Sequence, residues 1–434
     1  MPNSDQTRKI NKSLKYSVLD GAAWSAMAGL TQNYITPFAL ALKASTAQIG
    51  LLASVPNFLM SLAQLSAPKL SAKAGSRKGL VLPVVFLQAV MWVPVFLIPY
   101  LVPHGKVWAL IAFVSVSGVL GAMANPAWGS MMADLVPLRI RGRYFAARGR
   151  IANLVALVFA FIAGGVLQVV QPNVFLGFGI LFGGAVAARL VSFYFLTRMW
   201  EPPAPRTDGS PGRFSETIKD LGSSDLGRFA ILMAVLSFSA NIASPFFSVY
   251  MLRDLHFSYL SYVIVTAAGS LAYVLFVTYW GRRTDRAGNI RVMRIVSVLV
   301  PVVPVVWLVS HQVWFLVIAQ TFSSFVWAGL ELAAGNFVLE AAPPERRTNW
   351  IALYNATNGI AICLGSLTGG LLASRLPPIL GYRLLTLFAL SGVLRVFVAV
   401  FLPRWVREVR KVPTIGTFKL LFTRNRANHV STSG

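Results

Sequence analysis

The stretch GSMMADLVPLRIRGRY at 129–144 returns 206 residues later as GNFVLEAAPPERRTNW at 335–350. Under that offset Gly129 falls on Gly335, Asp134 on Glu340, Pro137 on Pro343, Arg141 on Arg347 and Tyr144 on Trp350. Moving outward at the same spacing, Gly164 meets Gly370 and Arg189 meets Arg395. An offset of 208 lays Asn33, Thr36, Pro37 and Phe38 on Asn241, Ser244, Pro245 and Phe246, and one of 213 lays Gly75 on Gly288. Spacings this constant are the mark of a duplicated unit. The chain reads as two homologous halves in the same orientation.

Each half is too apolar for water. The 434 residues are 56% hydrophobic and 12% charged, with a mean hydropathy of +0.65, whereas soluble domains carry about 25% charged residues and about 45–50% apolar ones. Disorder is excluded as well, since apolar surface is abundant. A membrane helix needs about 20 apolar residues, and twelve such runs occur. The first six are 17–42, 47–67, 80–102, 107–133, 150–170 and 173–197. The second six are 227–251, 259–280, 292–310, 312–339, 349–373 and 381–403. They are not the alternating ten-residue strands of a membrane barrel. The expected fold is therefore an all-α polytopic membrane protein, with twelve transmembrane helices as two homologous six-helix bundles. The polar, basic residues 1–16 precede an apolar run too long for a secretory leader, so no cleavage is expected. The single cysteine, Cys363, lies in an apolar run, so neither a disulfide framework nor a cysteine-rich metal site is expected.

A net charge of +25 invites a nucleic-acid reading. The placement of the charge argues otherwise. Thirty-two of the 39 Lys and Arg lie in segments before odd-numbered spans or in the tail, against five (Lys43, Lys106, Arg253, Arg375, Arg383) on the other side. That asymmetry puts both termini in the cytoplasm, and anionic lipid at that face is a sufficient partner for the short basic loops. The expected organisation is a cytoplasmic segment 1–16, a bundle 17–199, a cytoplasmic linker 200–226, a second bundle 227–403 and a basic tail 404–434. The tail either lies on the inner membrane surface or is solvated. A preference for Arg over Lys and the lack of trafficking motifs suit a bacterial inner membrane.

Repeated halves that meet at mid-membrane can rock about a central site. Six plus six helices with a long central linker resemble the major facilitator superfamily over nearly the whole chain. The sharpest motif is Gly281-Arg282-Arg283-Thr284-Asp285-Arg286-Ala287-Gly288-Asn289, similar to the family's glycine/Asp-Arg/glycine loop. Its glycines suit a tight turn, Asp285 can accept from a helix N-terminus, and Arg286 can bridge to the neighbouring half. The first-half copy keeps Gly75 and Arg77 but has Ala72 where the family usually has Asp. The resemblance further implies a cytoplasmic gate built from Asp134, Arg141 and Arg143 with Glu340, Arg346 and Arg347. The alternative is that these residues only satisfy helix ends and set topology. The family's Gly-Pro antiporter pair is absent from both Phe159–Gly165 and Gly365–Gly370.

Glu331 is the leading functional candidate. It lies nine residues from Glu340, about 13 Å along a helix, where a charge is costly. Burial of a carboxyl disfavours its charged form, which suits a proton acceptor or a partner for a cationic substrate. The alternative is a neutral, hydrogen-bonded Glu inside the bundle. Gln320, Ser324 and Trp327 precede it at helical spacing on one expected face. Asn125 occupies its place in the first half. Further cavity candidates are Asn33 and Asn241, one turn before prolines, with Asn57 and Gln64 in span 2, and Tyr262, Thr266 and Tyr273 in span 8. Interhelical hydrogen bonding alone would explain many of them. Asp20 is read as either a helix cap or a transport group. Arg189 and Arg395 are expected to be structural, pairing with Asp134 and Glu340.

No phosphate loop, zinc motif or nucleophile elbow appears. The expectation is a monomeric non-enzyme without cofactor, a secondary active transporter of a small solute, with protons as partner where transport is coupled. An uncoupled facilitator or an exporter of lipid-like substrates stays open, and so does a non-transporting receptor or assembly partner on the same scaffold.

Overall fold

A computed structural model describes residues 4–73, 76–137, 141–170, 173–202, 214–343 and 346–405. Gly75, most of the linker and the tail beyond 405 lie outside the described residues, as do the side chains of Gln64, Arg141 and Arg347. The described residues are predominantly helical and form no strand beyond an isolated bridge between Ile379 and Tyr382. The first six spans are α1 (Ser4–Thr31) continued by α2 (Ile35–Ala41), α3 (Thr46–Lys73), α4 (Arg77–Val90) continued by α5 (Trp92–Leu101), α6 (Lys106–Leu135), α7 (Arg141–Val169) and α8 (Val174–Arg198). A short α9 (Phe214–Lys219) precedes the second six. These are α10 (Asp225–Asn241) with α11 (Phe246–Val249) and a π turn (Tyr250–Asp254), α12 (Tyr259–Ala287), α13 (Asn289–Leu299) with α14 (Val302–Val306), α15 (Val313–Ala341), α16 (Arg347–Leu372) and α17 (Arg383–Trp405).

Ten spans are long and apolar enough to cross a membrane on their own account; α1 and α16 complete the twelve despite more polar sequences. The repeat is visible in the breaks. Spans 1 and 7 both interrupt just before a proline, at Gln32–Tyr34 before Pro37 and at Ile242–Pro245. A proline has no N–H for the carbonyl four residues back; at these two places the helix breaks, whereas Pro56 and Pro126 lie inside the continuous α3 and α6. The motif at 281–289 departs from its expectation. The helix α12 runs through Gly281 to Ala287, and only Gly288, at φ +86°, turns the chain into α13. Span 5 also begins earlier than expected, at Arg141, because its basic first turns are helical.

Three apolar cores show how the halves meet. One joins both halves, with Tyr34, Phe38 and Phe178 beside Phe246, Tyr250 and Tyr262. The other two are separate: Leu80, Val84 and Met132 in the first half, Phe229, Trp280 and Phe337 in the second. The separate cores lie toward the end bearing Arg77, Lys78, Arg283 and Arg286, called here the basic end. Hydrogen bonds between halves lie toward the opposite end: Tyr262 Oη donates to the Asn33 carbonyl at 2.9 Å, and Arg253 Nη1 to Thr46 Oγ1 at 3.1 Å. There α3 and α16 touch backbone to backbone. A Cβ added at Gly50 would stand 2.6 Å from the Ser366 carbonyl oxygen, so only glycine allows the approach. The bundle is closed at one end, and its halves hold independent cores at the basic end.

Candidate functional site

The helix α1 places Ser13, Ser17, Asp20 and Trp24 along one face, and the first three are buried. Asp20, only 4% exposed, sits sixteen residues into α1 and so caps nothing. Its Oδ1 accepts from Ser192 Oγ at 2.7 Å, and Ser192 Oγ accepts in turn from Arg189 Nη1 at 2.9 Å. Arg189 Nε donates to Gln88 Oε1 at 2.9 Å, and Gln88 Nε2 to the Ser117 carbonyl at 3.1 Å. From the other side Arg148 Nη2 stands 3.6 Å from Asp20 Oδ2, while its Nε donates to the Ser17 carbonyl at 3.1 Å. The Arg148 guanidinium lies 4.4 Å over the Trp128 ring and across Gly21, where a Cβ would stand 2.7 Å from Nη2. Arg189 therefore serves Gln88 directly and Asp20 through Ser192. The expected pairing with Asp134 is corrected, because Asp134 is taken by Arg77.

This network forms one end of a cavity of about 410 Å³ inside the first bundle. Trp24, Gln32, Met60, Trp92, Asn125 and Trp128 contribute to its walls. Trp24, Gln32 and Asn125 are also exposed, so the cavity reaches the surface of the first bundle. Of the predicted cavity candidates only Asn125 lines it; Asp20, read as a cap or a transport group, and Arg189, read as structural, line it too. Sequence reasoning missed Arg148, having started span 5 two residues later, and treated Asp20 and Arg189 apart. The available signal was three ionisable groups at similar depth in spans 1, 5 and 6.

Glu331 lies elsewhere, in the second half. It is exposed on α15 and accepts from Tyr273 Oη of α12 at 2.6 Å. The residues spaced with it do not share its surroundings. Gln320 packs its side chain on Gly269, Ser324 is buried, and Trp327 lies 5.9 Å from the Arg395 guanidinium. Asn57 and Asn241 donate to the Ala53 and Ser237 carbonyls within their own helices, and Thr266 to Tyr262 and Val263. Tyr262 and Asn33 meet each other.

At the basic end each half closes on itself. Arg77 Nη1 meets Asp134 Oδ2 at 2.5 Å, Arg77 Nη2 donates to the Pro202 carbonyl at 2.8 Å, and the Arg77 N–H to Glu201 at 2.7 Å. The second half matches it: Asn289 Nδ2 donates to Glu340 Oε2 at 2.9 Å. Thus Asp134 and Glu340 each reach the first residue of a neighbouring helix, Arg77 of α4 and Asn289 of α13, and Asp285 stays exposed. Arg346 pairs with Asp220 at 3.3 Å, and Arg143 and Arg286 are exposed. The repeat led us to expect Arg395 to pair with Glu340, and it does not; its Nη groups face the Val300 and Ala240 carbonyls at 3.4 and 3.3 Å.

Solved structures of similar fold cover nearly the whole molecule. A mutant of the nucleoside transporter NupG superposes with a TM-score of 0.74 at 12% identity, over 91% of this chain and 100% of that one. A D-xylose-proton symporter gives 0.69 at 14%, over 93% and 99%. A bacterial homologue of the iron transporter ferroportin, in an inward-facing state, gives 0.65 at 14%, over 92% and 98%. No protein of curated function matches in sequence. The sequence profile of the Major Facilitator Superfamily matches residues 18–225 and 229–427, both halves and the turn between them, and the chain belongs to that family.

Proposed function

We propose that this multi-pass membrane transporter is a secondary active transporter of a small solute, working by alternating access with its basic end in the cytoplasm. The observation that carries the reading is the distribution of cores: one shared at the far end, two independent ones at the basic end. Halves joined at one end only can exchange that contact for one at the other without unpacking either bundle. The conformation then corresponds to a state open to the cytoplasm. The gate reading of Asp134, Glu340 and their arginines follows: intra-half bonds such as Arg77–Asp134 would be exchanged for cross-half ones on closing. Glu331, bound to Tyr273 between two helices of the second half, is the coupling carboxyl in this reading, protonated and released as the halves move.

Site-directed labelling tests it. In a Cys363→Ser background, Asn125→Cys should react with an impermeant maleimide applied from either side of the membrane. A disulfide between Thr46→Cys and Arg253→Cys should confine labelling to the basic side. Labelling of the unlocked protein from one side only overturns the proposal.

A further inference from the structure

We propose that the cavity of the first bundle binds a small organic monoanion, a carboxylate on a flat apolar body, with Arg148 as its principal anchor. The inference rests on reading the space between the halves as a transport path. It starts from a census of polar groups. The cavity is bounded by two guanidiniums, Arg148 and Arg189, and one carboxylate, Asp20, so it carries one uncompensated positive charge in apolar surroundings. An uncompensated charge is costly there. It also holds two donors that nothing serves. The indole N–H groups of Trp92 and Trp128 are buried without a hydrogen-bond partner, and both residues line the cavity. Trp92 is 5% exposed, so bulk water does not serve it. The acceptors at the charged end are occupied: Asp20 takes Ser192 and Arg148, Gln88 takes Arg189, while the amides of Gln32 and Asn125 in the wall are neutral and balance no charge.

A ligand that completes this set brings acceptor oxygens and one negative charge. A carboxylate does both, matching the planar fork of a guanidinium. A phosphate dianion would overshoot the charge. Arg148 is the anchor because its grip on Asp20 is loose, at 3.6 Å, whereas Arg189 holds two neutral partners at 2.9 Å. Trp24, Met27 and Met60 supply an apolar surface for the rest of the molecule.

The test is binding to the purified full-length protein, read as a ligand-dependent rise in thermal stability, with phenylacetate, phenylacetamide and phenethylamine as probes. Phenylacetate is expected to bind at least ten-fold more tightly than the amide, and the amine more weakly still. Arg148→Gln should abolish the preference. Asp20→Asn should tighten phenylacetate several-fold, because the internal competitor for Arg148 is gone, an effect that a merely structural Asp20 would not produce. Should Arg148→Gln fail to fold, Trp128→Phe keeps an aromatic side chain, removes the donor and should weaken phenylacetate while leaving phenethylamine, which has no acceptor oxygen, unchanged. Acid and amide binding within two-fold of one another, preference for the amine, or unchanged affinity in Asp20→Asn would each overturn the assignment. None of these outcomes touches the labelling test of alternating access.

Discussion

The hydroxyl of Tyr262, in the second half, donates to the backbone carbonyl of Asn33, in the first, at 2.9 Å. That carbonyl is available because Pro37, four residues on, has no N–H to offer it. A helix break written into span 1 thus becomes an acceptor for the opposite half. Tyr34, in the same break, donates to the Ala160 carbonyl at 2.6 Å and packs its ring 6.5 Å from that of Tyr262.

Tyr262→Phe should therefore loosen the closed end without unfolding either bundle. The lost bond is worth about 1 kcal/mol, or about a five-fold shift in the equilibrium between open and closed far ends. Spin labels across the far end would report it as a growing long-distance population. An unchanged distribution would mean that the bond contributes nothing to closure.

Gly50 makes a sharper case. A methyl there would stand 2.6 Å from the Ser366 carbonyl oxygen and 3.1 Å from the Gly370 Cα, both backbone atoms that cannot swing aside. Gly50→Ala should cost about 1–3 kcal/mol of far-end closure and slow transport accordingly. Gly183→Ala is the control, since open space surrounds that position. Equal effects at the two positions would rule out the backbone contact as the cause.

The duplication, the helix count and the family were legible because hydropathy and repeat spacing are local properties. Asp134 and Glu340, equivalent by spacing, do equivalent work at the basic end. Arg189 and Arg395 are equally equivalent in sequence, yet their partners differ. The position matching Asp20 at the 208 offset is Arg228, so Arg395 finds no carboxylate and turns to carbonyls. One of these, Val300, is released by Pro304 four residues on. The cavity cluster was hidden for a related reason. Asp20, Gln88, Arg148 and Arg189 come from four spans, and no spacing within one helix brings them together. The stripe ending at Glu331 shows the opposite limit: helical period placed four residues near one face, but in a bundle Gly269 and Arg395 claim two of them.

Arg77 joins α4, α6 and the start of the linker through three kinds of nitrogen. Nη1 meets Asp134, Nη2 the Pro202 carbonyl, and Nε lies 3.6 Å from Glu201. Because Arg77 is 7% exposed, its loss takes from Asp134 and the Pro202 carbonyl their side-chain donor, while Glu201 keeps the backbone N–H of residue 77. Arg77→Ala should lower stability by about 2 kcal/mol, seen as a fall in the melting temperature of the purified protein. Arg77→Lys should recover little, since an ammonium cannot address partners in three directions. Full rescue by Lys would show that charge alone matters there.

Glu331 is the decisive position for coupling. Its partner Tyr273 donates at 2.6 Å from the neighbouring α12, so a proton arriving at Glu331 changes a contact between two helices of one half. Glu331→Gln fixes the neutral form while keeping the shape. In proteoliposomes it should abolish accumulation driven by a proton gradient yet leave exchange of solute across the membrane, because exchange needs no net proton movement. Tyr273→Phe removes only the donor, worth about 1–3 kcal/mol to a carboxylate, and should slow coupled transport by about one to two decades without uncoupling it. Unchanged gradient-driven accumulation in Glu331→Gln would place coupling at another carboxyl, and Asp20, buried in the first half, is then the candidate.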